Sequence, residues 1–236
     1  MNADFVLSEL LSIADAQKAA FLMRFFKCGP GQYADGDKFL GIVVPLTRNI
    51  VKACVDIPLS ELEILVRNEY HEARLCAFLI GVAQFKKADE NGRRDIYRFF
   101  MRNTNHANNW DLVDLAYPSV VGEFLADKER DVLYELAESD LLWDNRIAIV
   151  STLNFIRKND FSDTLALSEK LFSHKHDLIH KAIGWMLREV GKRDRELLSD
   201  FLEENSGKMA RTTLRYAIEH YPEERRQYFL KKDKKI

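Results

Sequence analysis

The chain has 236 residues, of which 47% are hydrophobic and 31% are charged, and its formal net charge is −2 at neutral pH. This balance excludes an intrinsically disordered chain, which would carry far fewer apolar residues or a much larger net charge. The chain contains only 10 Gly and 5 Pro, and so few turn-forming residues predict helices rather than sheets.

The sequence does not have the marks of a membrane, secreted or zinc-binding protein. It has no run of about 18 apolar residues that would span a membrane, and its first residues lack the basic start of a secretory signal. Its three cysteines form no CxxC motif, so neither a zinc site nor a disulfide framework is expected. We therefore expect a reduced, cytoplasmic protein in which Cys76, within an apolar helical run, is buried.

Apolar residues recur with a helical period through most of the chain. Residues 1–27 are predicted to form N-terminal helices, and residues 28–44, which include four Gly and one Pro, to form an irregular loop. Residues 45–230 are predicted to form helical repeats, and residues 231–236 a basic tail. The whole chain, 1–236, is expected to form one domain.

Local patterns predict where two of these helices begin. Ser60 followed by Glu63 resembles a capping box, although Pro58 offers a slightly earlier start. Asn108 or Asn109 is predicted to cap the helix that follows, because asparagine side chains accept hydrogen bonds from the first free backbone N–H groups of a helix.

Five apolar segments recur along the chain, and in four of them a basic residue precedes a dense apolar stripe. They start at His71, Trp110, Asn145, Ile179 and Met209, at intervals of 39, 35, 34 and 30 residues. This spacing is typical of stacked helical pairs, which bury their apolar faces only against neighbouring pairs and so form a curved solenoid. An irregular all-helical globule without repeats is the alternative.

Each of the three tryptophans stands three or four residues before a charged residue, so each pair shares a helix face. Taken alone, such pairs are weak signals. A helical Trp most often packs in the core, and an Asp on its face is usually solvated or paired with an Arg. The pairs are Trp110 with Asp114, Trp143 with Arg146, and Trp185 with Arg188.

The sequence indicates neither a metal nor a cofactor. His174, His176 and His180 lie close together but have no carboxylate or cysteine partner at ligand spacing. Glycine-rich phosphate loops and the common protease, hydrolase and kinase motifs are absent from the sequence. The basic cluster around Arg93 is expected to be a solvated helix face. The near-neutral total charge still permits a surface polarised toward nucleic acid.

Five segments between Phe39 and Tyr221, nearly the whole chain, resemble the DNA alkylation repair family of HEAT-like glycosylases, the AlkD type. As a set their order and spacing are specific. The sequence departs from the family's pattern at Asn109, where the family often has an aromatic residue. The segments, in chain order, are FLGIVVPLTRNI, NNWDLVDLAYPSVVGEF, ESDLLWDNRIAIVSTLNFIRK, IHKAIGWMLREVGK and MARTTLRYAIE.

The resemblance implies a right-handed superhelical solenoid of HEAT-like helical pairs whose concave face binds double-stranded DNA. It implies a glycosylase that excises purines alkylated at N3 or N7. A reaction that needs neither a metal nor a cofactor fits a monofunctional enzyme, and the size and polar exterior of the chain favour a monomer. Asp114 would match the catalytic carboxylate, Trp110 and Trp185 the aromatic pair around the reacting nucleotide, and Arg146 the arginine near the lesion's backbone. Further DNA contacts are expected from Arg188, Trp143, Lys181, Arg211 and Arg215.

The residue types suit this chemistry. An alkylated purine is cationic and leaves readily, and the sugar gains positive charge that a carboxylate stabilises, as in glycoside hydrolysis. Aspartate is ionised at neutral pH without tuning. Two alternatives remain at this point, namely a catalytically silent DNA-binding solenoid and an adaptor whose concave face binds proteins.

Overall fold

A computed structural model describes residues 1–232, and within them every regular element is a helix. The all-α fold class expected from the sequence is therefore confirmed. Internal packing divides the chain into two compact units, Met1–Phe124 and Leu125–Ile236. The single domain and the handedness of the superhelix stay predictions.

The first unit is centred on one long helix. Its elements are α1 (Ala3–Ser12), α2 (Ala16–Phe25), α3 (Val44–Ala53), α4 (Leu59–Leu65), α5 (His71–Lys87), α6 (Glu90–Arg102), a 3-10 turn (Thr104–His106), α7 (Trp110–Tyr117) and a π-helical turn (Pro118–Gly122). Helix α5 is buried on nearly every side because α3, α4, α6 and α7 all pack against it. Its apolar run therefore forms the centre of this unit's core.

The second unit is also organised around one helix. Its elements are α8 (Asp131–Glu138), α9 (Leu142–Ser151), α10 (Leu153–Arg157), α11 (Ser162–Leu171), α12 (Asp177–Arg193), α13 (Arg195–Asn205), a 3-10 turn (Ser206–Lys208), α14 (Arg211–Ala217) and α15 (Glu223–Lys232). Helix α12 packs against α9, α13 and, most extensively, α14. Gly184 permits this approach, because a Cβ there would lie only 2.5 Å from the Cβ of Tyr216.

The start of α4 differs from the predicted capping box. The helix begins at Leu59, directly after Pro58, and no side chain caps it. Pro58 already has an extended backbone that leads into the helix (φ −61°, ψ 151°), so Ser60 falls inside the first turn and not at its start. Glu63 instead accepts hydrogen bonds from Arg102 Nη2 (3.1 Å) and Asn103 Nδ2 (3.0 Å).

Several other sequence predictions can be compared with the described residues. All three cysteines are free and buried, including Cys76, whose pKa burial raises to about 12. Residues 26–43 contain no helix, and Lys38 forms an isolated bridge with Tyr70 there. The first two residues of the predicted basic tail end α15, whereas residues 233–236 lie outside the described residues. None of the helices in 1–232 has the length and apolarity to cross a membrane.

Candidate functional site

Helix α7 carries the predicted catalytic pair, Trp110 and Asp114. Asn109 caps the helix, as one of the two predicted choices, and its Oδ1 accepts a hydrogen bond from the Trp110 backbone N–H at 2.8 Å. Both Trp110 and Asp114 are half-buried, whereas the residues 111–113 between them are buried. The two side chains thus lie one turn apart at the edge of the core.

Trp110 is held by other aromatic rings. Its ring stacks on Phe26 with centroids 5.2 Å apart, and the ring of Phe25 meets it edge-on at 6.1 Å. Phe26 stacks in turn on Phe39 at 5.1 Å. Because Phe26 and Phe39 are buried, one side of the Trp110 ring is fixed by the core. The indole is therefore placed before any ligand arrives.

A buried charge cluster, formed by Asp37, His71, Arg74 and Asp111, lies at the start of α7. His71 is 1% exposed, and its Nε2 donates to Asp111 Oδ2 at 2.9 Å and its Nδ1 to Asp37 Oδ2 at 3.3 Å. Arg74 forms an ion pair with Asp37. Because both imidazole nitrogens face carboxylates, His71 is protonated, and the four charges sum to zero.

The pKa values agree with this assignment of charges. Burial alone would lower the pKa of His71, but the neighbouring Asp111 and Asp37 outweigh it and raise the pKa to about 9. Burial alone would raise the pKa of Asp37, but the hydrogen bond from His71 and the charge of Arg74 hold it below its usual value. The cluster therefore joins the first turn of α7 to α5 through permanent charges at neutral pH.

Glu72, the neighbour of His71, fixes the loop that precedes α3. It is 1% exposed, and its carboxylate accepts three backbone N–H groups, those of Leu40 (2.8 Å), Gly41 (2.9 Å) and Ile42 (3.0 Å). This loop carries Phe39 of the aromatic cluster. The sequence did not indicate a role for His71 or Glu72, because neither belongs to a motif from which its distant partners could be predicted.

The second unit carries the remaining predicted site residues on three helices. Helix α12 carries Lys181, Trp185 and Arg188, and the helix packed on it, α14, carries Arg211 and Arg215. Trp185 is half-buried and lines a cavity of about 260 Å³ together with residues of α10 and the end of α12. Arg211 and Arg215 are exposed. The fold thus brings these five residues to adjacent helices of one unit.

Some of these basic side chains have partners within the protein. Arg188 forms an ion pair with Glu219, and Lys181 Nζ lies 2.9 Å from Asp177 Oδ2. Arg146, on α9, is only 5% exposed, and its Nη1 donates to the Leu178 carbonyl at 2.6 Å. A phosphate contact by Arg146 would therefore require its side chain to be uncovered.

The remaining predictions concern Trp143 and two clusters outside the proposed site. Trp143 is half-buried on α9. His174 and His176 line a cavity of about 450 Å³, and burial lowers the pKa of both. In the described part of the chain, no group of three metal-ligating side chains is placed to hold a metal ion. Arg94 and Arg98, from the basic cluster of α6, are exposed and paired with acidic residues on their own helix.

Comparisons with known proteins agree with this architecture. A solved structure described as a "Predicted DNA alkylation repair enzyme from Enterococcus faecalis" is similar to the chain with a TM-score of 0.68 and 16% sequence identity, over 89% of this chain and 97% of that one. At this identity the likeness shows a shared fold. No curated protein matches the chain. The sequence profile of the DNA alkylation repair enzyme family matches residues 6–221, and the chain therefore belongs to that family.

Proposed function

We propose that this protein hydrolyses the N-glycosidic bond of N3- or N7-alkylated purines in double-stranded DNA, as a monofunctional glycosylase. Membership of the DNA alkylation repair enzyme family supports alkylated DNA as the substrate class. The observation that carries the glycosylase step is the pair on α7, where a core-anchored Trp110 lies one turn from a half-buried Asp114.

The two carboxylates of α7 have different environments, and this supports Asp114 as the reacting one. Asp111 is 4% exposed and its Oδ2 accepts a hydrogen bond from His71, so its charge is compensated inside the core. Asp114 lies three residues further along, at the edge of the core. A carboxylate at the edge of the core is accessible to a bound sugar while the helix itself stays in place.

In the proposed reaction, the C1′–N bond of the alkylated nucleotide breaks and its electron pair goes to the cationic base, which leaves neutral. The sugar takes on positive charge, and the carboxylate of Asp114 stabilises it. Water adds to C1′ and loses a proton to solvent, which leaves an abasic site. The faces of Trp110 and Trp185 favour a nearby cation, by about 1 kcal/mol each.

The DNA contacts belong to the same proposal. Arg188, Lys181, Trp143, Arg211 and Arg215 are proposed to contact the strand around the lesion, and Arg146 its phosphate backbone. Removing one phosphate-binding side chain should reduce the slope of log K against log salt by about 1. The Arg146→Ala variant should show this reduction, and an unchanged slope would remove Arg146 from the set. A cytoplasmic monomer is proposed as the active form.

The test is release of free methylated purine from alkylated duplex DNA, measured in the supernatant with a chelator present. Asp114→Asn should lower the rate about a hundredfold, because one preorganised electrostatic partner contributes about 3 kcal/mol to a transition state. DNA affinity should survive the change. Asp95→Asn, at an exposed carboxylate on α6 of the same unit, is the matched control and should release base at the wild-type rate.

Two outcomes would contradict the proposal. Full activity of Asp114→Asn would show that another group carries the chemistry. Salt-dependent binding by the wild-type protein without base release at any enzyme concentration would instead leave a catalytically silent DNA-binding protein.

A further inference from the structure

Helix α2 has an exposed aromatic face next to Trp110. Phe21 and Phe25 are 58% and 54% exposed, and their rings lie nearly parallel, with centroids 6.4 Å apart and an interplanar angle of 15°. Phe25 also meets Trp110 edge-on. Phe25 therefore contacts both Phe21 on α2 and Trp110 on α7. We call Phe21 and Phe25 the aromatic face of α2.

The helix that carries this aromatic face packs closely against the rest of the protein. The start of α2 lies directly against Gly41, where a Cβ would be 2.1 Å from the Asp15 carbonyl oxygen and 2.6 Å from the Ala19 nitrogen. Leu22 and Ala19 pack against the buried cluster that includes Phe26. One side of α2 is thus fixed to the protein, and the aromatic face points away from it. A contiguous patch of exposed apolar side chains with polar residues around it is typical of an interaction site.

Basic side chains accompany the aromatic face. Arg24 and Lys27 line a cavity of about 520 Å³ on the adjoining side of α2, together with Met23 and Gln32. Neither Arg24 nor Lys27 forms an ion pair with any residue in the range 1–232. The surface therefore offers two cations on the side of α2 that adjoins the two aromatic rings.

We infer that the aromatic face of α2 binds an unpaired nucleotide next to the lesion, with its base against Phe21 and Phe25 and its phosphate near Arg24 and Lys27. This inference rests on the proposed function, because Trp110 places the face beside the reacting nucleotide. Aromatic rings bind bases of any sequence through their π-faces, and cations beside them neutralise the backbone. The contact of Phe25 with Trp110 of the proposed site favours a nucleotide over a lipid surface or a protein helix as the occupant.

The experiment compares the binding of two synthetic duplexes, one fully paired and one with a single unpaired 2-aminopurine nucleotide. The wild-type protein should prefer the unpaired duplex and quench its fluorescence, because a stacked base is quenched. Phe21→Gln should weaken this binding about tenfold, in line with the removal of one base–aromatic stacking interaction, and should leave binding of the paired duplex within about twofold. Ile64→Gln is the matched control, because Ile64 has the same 58% exposure in the same unit.

A second pair of variants tests the cations independently of the rings. Arg24→Gln and Lys27→Asn should each reduce the slope of log K against log salt by about 1 on the unpaired duplex. Asparagine is chosen at position 27 because the backbone there has φ 60°, a conformation that asparagine tolerates well. Unchanged urea midpoints would establish that all four variants fold.

The outcomes separate this inference from the proposed function. If Phe21→Gln binds both duplexes like the wild type, the inference is overturned while base release is unaffected. If the wild type releases no base yet binds the unpaired duplex through Phe21, the glycosylase proposal fails and the nucleotide site stands. A Phe21→Gln variant that changes self-association in sedimentation, or binding to anionic lipid vesicles, but not DNA binding, would also overturn the inference.

Discussion

Raising the pH from about 6 to about 8.5 is expected to remove about 2 kcal/mol of stability from the unit that contains His71. The pKa of this histidine rises from 6.5 to about 9 on folding, so the folded protein holds a proton that the unfolded chain releases. Its contribution is fully present below pH 6.5 and is lost as the pH rises through about 9. Since one pKa unit corresponds to about 1.4 kcal/mol, the whole range amounts to about 3 kcal/mol.

The other groups whose pKa changes on folding affect stability mostly outside the range from about pH 6.5 to about pH 8.5. Burial lowers the pKa of three other histidines, and their contributions therefore change below pH 6.5 and act in the opposite direction, so that stability rises with pH there. Burial raises the pKa of the cysteine thiols, so they reduce stability only as the unfolded thiols begin to ionise near pH 9. The three histidines are His106, His174 and His176.

The measurement is urea unfolding at closely spaced pH values for the wild type and His71→Gln. Glutamine keeps one hydrogen bond but does not titrate, so the variant should lose the decline between about pH 6.5 and about pH 8.5. The cysteines are common to both proteins and cancel in the comparison. Equal pH dependence of the two proteins, or an NMR titration of His71 with a midpoint below 7, would refute the assignment of a buried imidazolium.

Three further predictions concern single side chains. Glu72→Gln should destabilise the protein by about 3 kcal/mol, seen as a lower urea midpoint, because an amide NH₂ would then compete for a place among three backbone donors. Gly184→Ala should cost about 2 kcal/mol in the same assay, because its Cβ would meet backbone atoms of α14, whereas Gly191→Ala meets only a side-chain end and should cost less. Glu219→Gln should tighten DNA binding two- to fivefold, because it releases Arg188 from its ion pair; an unchanged affinity would place Arg188 away from DNA.

The periodicity of the sequence predicted the helical class and the helix that carries the proposed site. Spacing alone put Trp110 and Asp114 on one face, and Asn109 stands at the predicted cap. Boundaries were less predictable, as α4 shows. Ser60 and Glu63 have the spacing of a capping box, but Pro58 restricts the backbone so that the helix begins at Leu59, one residue before the serine. A residue that restricts φ outweighs a side-chain cap worth about 1 kcal/mol.

What the sequence did not show depends on contacts between distant residues. His71 meets partners that lie 34 and 40 residues away, and no local period contains such distances. The burial of Arg146 has the same origin, because the carbonyl that it binds lies 32 residues away, on α12. Phe21 and Phe25 have helical spacing that is typical of a core face, and only the folded unit shows that this face is exposed.

The buried charge cluster at the start of α7 limits which amino-acid substitutions the protein tolerates. Replacing any one member strands the opposite charge in the interior, at a cost of about 3–5 kcal/mol. Replacing the set together with apolar residues of equal volume removes that penalty, so such substitutions are tolerated as a block. Proteins that share this fold should therefore either have all four residues of the buried charge cluster or have none of them. Libraries for re-engineering the pair on α7 should accordingly vary these four positions jointly or leave them untouched.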